Sequence, residues 1–155
     1  MTEKYYSREI TVSSSPATVY KALTAEFEKW WTTTNNEISA VGDLITFQFP
    51  PTYWTMRALK LVPGKYVELQ CVEANHEHSG LPESIRDEWK DTKLKWEIRK
   101  TGKKTKIIFM HAGLSPSLDC YKICEAGWDY FFVNSLKKYL DEGTGMPFDP
   151  MEQRT

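Results

Sequence analysis

The chain has 155 residues, a length typical of one domain, and its 20 basic residues almost balance its 21 acidic residues, for a formal net charge of −1. That balance excludes a strong overall attraction to nucleic acid or to an anionic membrane surface. The 6 Trp, 8 Tyr and 7 Phe residues supply large rigid rings, which fill protein cores and line ligand cavities.

The N-terminal part predicts one strand and two short helices. Apolar and polar residues alternate over 5–12, as expected for a strand with one buried face. Ser15 is placed to cap a helix, and Pro16 takes the first helical position, where a missing N–H costs nothing. A second short helix is predicted over 25–31, and the polar run 32–36 ends it.

A run of strands follows. Alternating apolar residues predict five of them, over 44–49, 52–62, 65–72, 93–100 and 105–112. Pro50 and Pro51 separate the first two, because proline cannot donate a hydrogen bond to a sheet. Residues 73–91 are polar and irregular, with one helical turn predicted from Pro82.

The clearest predicted element is a long C-terminal helix. No proline interrupts residues 117–141, and Gly143 supplies a stop signal. The helix would be about 37 Å long and would carry one wide apolar stripe. That stripe consists of Tyr121, Cys124, Trp128, Phe131, Phe132, Ser135 and Tyr139. We therefore expect a single domain over 1–143 and a loosely ordered tail over 144–155.

The order of these elements predicts an α+β fold. Strands that follow one another, with helices outside the run, favour an antiparallel sheet with helices on one side. The long helix must then lie across the buried face of a curved sheet that wraps around it. A bent sheet contacts a straight helix best at its ends, so we expect an apolar cavity between the two.

Several motifs occur in order between residues 6 and 142. They are Ser-Pro-Ala-Thr-Val-Tyr at 15–20, Trp-Trp at 30–31, Gly-Asp at 42–43, Val-Pro-Gly at 62–64, Trp-Glu-Ile at 96–98, Ile-x-Phe-x-His at 107–111 and Gly-Trp at 127–128. The set resembles the START-like helix-grip (SRPBCC) superfamily, the type of polyketide cyclases and of the birch-pollen allergen. Within it, the chain resembles homologues of the heat-shock-protein-90 ATPase activator.

The resemblance implies a deep apolar pocket under the C-terminal helix, since members of the superfamily bind lipids, hormones or polyketides. The candidate ligand-binding residues are Trp54, Trp96, Phe109, His111, Tyr121, Cys124, Trp128 and Phe132. Aromatic stripes like that of the helical members are usually ordinary core packing, although the same residues can be core on one side and cavity wall on the other. Gly127 removes side-chain bulk in mid-helix, which a space requirement for a ligand or for a close-packed strand would explain.

His111 shares a strand face with Ile107 and Phe109 and is therefore expected to point inward. One interpretation is a polar ligand anchor or a general acid or base. The other, which the usual pairing of buried polar groups favours, is a structural histidine that is hydrogen-bonded at the cavity rim.

Two arginines pose a question of orientation. Arg57 is out of phase with the apolar residues around it, so alternation favours an outward side chain, unless a bulge turns it into the cavity. Arg8 has the phase of the inward-facing Tyr6, yet a long side chain can reach solvent at a sheet end.

No metal site or cofactor is predicted. His76 and His78 flank Glu77, but the segment reads as exposed and no third ligand is defined for zinc. Cys120 and Cys124 are interpreted as small packing residues on one helix face, where helical geometry disfavours a disulfide. With neither a signal peptide nor a long apolar run, we expect a cytoplasmic protein without a membrane or nucleic-acid partner.

Three functions remain open from the sequence. The first is a carrier or sensor of a small hydrophobic molecule, favoured by the aromatic content and the long helix. The second is a cyclase-like or hydrolase-like enzyme that uses His111, although no supporting dyad is visible. The third, implied by the resemblance, is a module that binds a chaperone through the sheet or through residues 73–91.

Overall fold

The computed structural model describes residues 4–148, and the strands within that range form one curled antiparallel sheet of seven. The strands are β1 (Tyr6–Val12), β2 (Thr33–Thr34), β3 (Leu44–Phe49), β4 (Thr52–Val62), β5 (Tyr66–Asn75), β6 (Lys93–Thr101) and β7 (Lys104–Ala112). Their order in the sheet is β1-β7-β6-β5-β4-β3-β2, so the first strand pairs with the last. The predicted α+β class is confirmed.

The main helices lie outside the run of strands from β2 to β7, as expected, and one 3-10 turn lies between β5 and β6. They are α1 (Pro16–Ala22), α2 (Phe27–Trp30), a 3-10 turn (Glu83–Asp87) and the C-terminal helix, which comprises α3 (Tyr121–Trp128), a π-helical stretch (Asp129–Leu136) and α4 (Lys137–Glu142). The α1 start is as predicted, because the Ser15 hydroxyl accepts a hydrogen bond from the Thr18 N–H at 3.2 Å. No helix of residues 4–148 is both long and apolar enough to cross a bilayer.

The C-terminal helix begins at Tyr121, four residues later than the sequence indicates. The Glu88 carboxylate accepts the N–H groups of Asp119 at 3.1 Å and of Cys120 at 3.0 Å. A side chain from a distant segment thus fixes the two residues that immediately precede the helix. Sequence reasoning placed the start near Ser117 because it considered only local signals.

Two further boundaries differ from the prediction. β5 continues to Asn75, into the segment that the sequence predicts to be irregular, and residues 73–75 pair with β4. The polar run that ends α2 contains β2, which pairs with β3. In both cases, pairing within the sheet makes residues extended although their local pattern does not predict a strand.

The C-terminal helix packs on the inner face of the sheet through stacked and tilted rings. Trp96 stacks on Phe109 at 5.0 Å between ring centroids. Phe109 in turn lies 4.6 Å from Trp128 and 5.1 Å from Phe132. All four side chains are at most 2% exposed. The centre of the grip is therefore filled by the protein's own side chains.

The two arginines have different environments. Arg57 is exposed, as alternation favours. Arg8 lies over the Tyr6 ring, 4.4 Å from its centroid, and pairs with Asp129 at 3.1 Å and Glu125 at 3.3 Å on the C-terminal helix. Arg8 therefore ties the first strand to the helix.

The predicted tail is described only in part, since residues 149–155 lie outside the described range. Residues 144–148 return along α2, where the Phe148 N–H donates to the Trp31 carbonyl at 2.7 Å. A side chain at Gly145 would collide with the Lys29 carbonyl. Phe148 is thereby placed against Phe49, at 4.8 Å between ring centroids.

Ser135 holds this returning segment. Its buried hydroxyl donates to the Trp30 carbonyl at 2.7 Å and accepts from the Met146 N–H at 2.7 Å. We expect Ser135→Ala to lower the free energy of unfolding by roughly 1–3 kcal/mol, because two backbone groups lose their partner. Urea unfolding measures this loss, and the neighbouring exposed Asn134→Ala is the control. A Ser135→Ala variant as stable as the control would contradict the inference that the Ser135 hydroxyl holds the returning segment.

Candidate functional site

A cleft of about 320 Å³ opens beside the C-terminal helix, where the helix leaves the sheet uncovered between the β3–β4 turn and the end of β5. Ligand pockets usually measure roughly 300–1,000 Å³, so this cleft suits a small guest. Its aromatic wall consists of Trp31, Phe49, Trp54, Trp89, Trp128, Phe131 and Phe148. The cleft thus lies at one side of the grip rather than at its filled centre.

Three tryptophans from different elements form a layered stack along the cleft. Trp54 of β4 stacks on Trp89 at 4.0 Å with an interplanar angle of 17°. Trp89 lies nearly parallel to Trp128 of the C-terminal helix, at 5.9 Å and 11°. Trp89 follows the 3-10 turn, so the segment 73–91 contributes directly to the wall. The stack lines the cleft with apolar ring atoms.

Gly127 lies on the helix wall of the cleft. Apart from the adjoining backbone of its own helix, a Cβ atom added at this position would have no described atom within 4 Å. The space is therefore open, and a larger side chain at this position would project into the cleft. A close-packed strand, the other explanation for this glycine, is excluded by the same observation.

Two buried ring nitrogens of the cleft residues have no hydrogen-bond partner within residues 4–148: Trp54 Nε1 and His76 Nδ1. An unpaired buried polar group costs about 1–3 kcal/mol. His76 is only 6% exposed, in contrast to the exposed segment that the sequence predicts. Its burial, with a smaller effect from the charge of His78, lowers the His76 pKa to about 4.

His111 lies behind the cleft and is 0% exposed. The Trp128 indole N–H can only donate, so His111 Nδ1 accepts from it, at 3.0 Å. Nε2 then carries the proton and donates to the Thr92 hydroxyl at 2.9 Å, which donates to the Trp89 carbonyl at 2.5 Å. Burial lowers the His111 pKa to about 3, so the ring is neutral near pH 7.

The eight candidate ligand-binding residues separate into three groups. Trp54, Cys124 and Trp128 line the cleft. Tyr121 is half-buried, and its hydroxyl donates to Glu125 at 3.3 Å on the outer side of the helix. The members that pack in the interior behind the cleft are Trp96, Phe109, His111 and Phe132.

Sequence reasoning missed five rings of the wall as ligand contacts, namely Trp31, Phe49, Trp89, Phe131 and Phe148. Trp89 carried a usable signal, because a lone tryptophan in an otherwise polar segment has to find a buried contact. Phe148 carried none, since its position depends on the backbone pairing with Trp31.

Comparisons with known proteins give a consistent picture. The sequence matches, over residues 13–141, the model of a protein family described as Activator of Hsp90 ATPase homolog 1-like protein. A search of curated protein sequences gave no match.

Solved structures are similar over most of the chain. The solution structure of the Aha1 dimer from Colwellia psychrerythraea is 29% identical, with a TM-score of 0.70, covering 92% of this chain and 99% of that chain. DynU16, a protein from the dynemicin biosynthetic locus, is 13% identical, with a TM-score of 0.70 over 93% of this chain and 49% of that chain. A protein from Mesorhizobium loti is 19% identical, with a TM-score of 0.68 over 84% and 92%. The last two likenesses show the fold alone.

Proposed function

The chain belongs to the family of activator of Hsp90 ATPase homolog 1-like proteins, and from this premise we propose that it binds a small, largely apolar molecule in the aromatic cleft beside its C-terminal helix. The membership confirms the resemblance to the START-like helix-grip superfamily. This fold commonly binds hydrophobic ligands. The proposal therefore concerns where the guest lies and what chemistry it has.

One observation carries the proposal: seven aromatic rings surround about 320 Å³ of open space, and Gly127 leaves that space free on the helix side. A core that only needed packing would fill such a gap, because protein interiors are close-packed. The rings of Trp96, Phe109 and Phe132 close the centre of the grip, so this open space lies at its side.

The wall indicates the chemistry of the guest. Trp54, Trp89 and Trp128 line the cleft with apolar ring atoms, which favour a compact apolar body. An oxygen acceptor on a guest that reached Trp54 Nε1 would satisfy this unpaired donor. We therefore propose a small aromatic or alicyclic molecule with one acceptor group at the Trp54 end.

Gly127→Leu tests the location. We expect affinity for the fluorescent apolar probe 1-anilinonaphthalene-8-sulfonate to fall at least about tenfold, because the leucine side chain occupies the cleft. Probe fluorescence titration measures the affinity, and circular dichroism checks the fold. Helix stability should not suffer, since glycine is the poorer helix former by about 1 kcal/mol.

Two variants control the test. Ala126→Leu adds the same kind of bulk at the adjacent, exposed helix position and should leave probe affinity unchanged. Gly127→Ala adds one methyl group without a collision and should have a small effect. Equal affinity of Gly127→Leu and Ala126→Leu for the probe, with both folded, would reject the cleft as the binding site.

The alternatives have less support. An enzyme that uses His111 needs that ring in contact with substrate, but the ring is fully buried and both of its nitrogens are hydrogen-bonded. A chaperone-binding module rests on the description of the family. We propose a reducing compartment such as the cytoplasm, because the three buried cysteines are free thiols.

A further inference from the structure

Three side chains with metal-binding atoms meet at the edge of the cleft. An imidazole nitrogen of His76 and the sulfur atoms of Cys120 and Cys124 all lie within 4.8 Å of one another. The three residues are buried, with exposures of 6%, 0% and 6%. They come from the end of β5 and from the start of the C-terminal helix, so only the fold brings them together.

The backbone around the cluster is held on both sides. The His76 N–H donates to the Arg86 carbonyl at 2.9 Å, which fixes the chain after β5. Glu88 holds the helix start by accepting the Cys120 N–H. Cys120 and Cys124 are four residues apart, which places both sulfurs on one side of the helix. The donor atoms are thus preorganised by elements that do not depend on a ligand.

One observation points to a ligand at this cluster. His76 Nδ1 is buried and has no partner among the described residues. The Trp89 indole N–H donates to the Cys124 sulfur at 3.2 Å. A hydrogen bond of this kind to a coordinating sulfur orients it and stabilises its negative charge.

We propose that His76, Cys120 and Cys124 form a site for one zinc ion, with a fourth coordination position open to the aromatic cleft. Thiolate and imidazole are the ligand types that zinc prefers. Zinc bonds of about 2.3 Å to sulfur and about 2.0 Å to nitrogen, arranged tetrahedrally, separate the donor atoms by about 3.5 to 3.8 Å. From separations of at most 4.8 Å, the donors therefore need to approach by no more than about 1.3 Å, within the reach of side-chain rotation.

The fourth position follows from the surroundings. His76 and Cys124 both line the cleft, whereas Cys120 lies behind them. Three protein ligands with an accessible fourth position leave room for water or for a donor atom of a guest. Each cysteine binds as a thiolate, so zinc binding transfers the thiol protons to the buffer.

Metal titration of the reduced, metal-free full-length chain tests the site. We expect Co²⁺, as a spectroscopic substitute for zinc, to bind with one-to-one stoichiometry and to produce thiolate-to-metal charge-transfer absorption that Zn²⁺ then abolishes. Zn²⁺ should also raise the thermal unfolding midpoint, because it binds the native chain. This readout does not involve the apolar probe, so the two proposals stand or fall separately.

Matched variants make the result specific. Cys120→Ser and Cys124→Ser should each remove much of the charge-transfer absorption and weaken Co²⁺ binding at least about 100-fold, and His76→Gln at least about tenfold. Cys71→Ser, at a buried free cysteine outside the cluster, and His78→Gln, at the exposed neighbouring histidine, should bind as the unchanged chain does. Absence of the charge-transfer absorption, or Co²⁺ binding that survives in a folded Cys120→Ser/Cys124→Ser variant, would overturn the site.

Discussion

Replacing Trp128 with alanine is expected to lower the free energy of unfolding by roughly 3–5 kcal/mol, the usual loss when a buried tryptophan is truncated. The ring is 2% exposed, and other aromatic rings pack against it. Its centroid lies 4.6 Å from that of Phe109 and 4.7 Å from that of Trp31. The truncation also leaves His111 Nδ1 without its donor, which adds to the loss.

Urea unfolding followed by circular dichroism measures the change, since tryptophan fluorescence would itself be altered. Trp128→Phe keeps a ring in place but removes the N–H, so it should lose less than the alanine variant. Tyr130→Ala, at an exposed position two residues along, is the control and should stay within about 0.5 kcal/mol of the unchanged chain. If Trp128→Ala lowered the free energy of unfolding by less than about 1 kcal/mol, the inference that this ring is central to core packing would be wrong.

Acidification is the second large effect that we expect. The His111 pKa falls from its ordinary 6.5 to about 3 in the folded chain, because burial disfavours the charged ring. Below pH 6.5, His111 is therefore protonated in the unfolded chain, whereas in the folded chain it stays neutral until about pH 3. Stability is complete above the unfolded pKa and declines as the pH falls toward the folded value. From about pH 7.5 to about pH 5, His111 alone should remove about 2 kcal/mol.

Urea midpoints measured across this range test the expectation. Asp43 and Asp141 also have lowered pKa values, but their effect comes at more acidic pH, below the ordinary 3.8. His76 titrates in the same window as His111, because its folded pKa is about 4. His111→Gln and His76→Gln should therefore each flatten the pH dependence. A urea midpoint that stays constant from about pH 7.5 to about pH 5 would show that the fold keeps neither His111 nor His76 neutral.

Local patterns were sufficient for most of the framework. The Ser15 and Pro16 helix start, the strand alternation and the long helix after residue 117 arise from the chain's own periodicity and capping groups, and the fold bears them out. The inward orientation of His111 also followed from alternation alone. The local pattern could not predict the late start of the C-terminal helix, because Glu88, from a distant segment, binds the N–H groups just before it.

The candidate cleft was only partly accessible to such reasoning. Trp54, Cys124 and Trp128 were identified because they share a face with other apolar residues. Periodicity cannot distinguish a side chain that faces another ring from one that faces empty space, so Trp96, Phe109 and Phe132 were grouped with them. The difference depends on how far the helix lies from the sheet along its length.

By itself, the sequence determined the class of fold, the order of its elements and the inner face of each strand, since these depend on spacings of two to four residues. Only the tertiary structure decided that the space lies at the side of the grip, and that His76 approaches Cys120 and Cys124. Those features join segments far apart in the chain, and their separation is set by sheet curvature and by the packing of many side chains at once. No local pattern encodes such a distance.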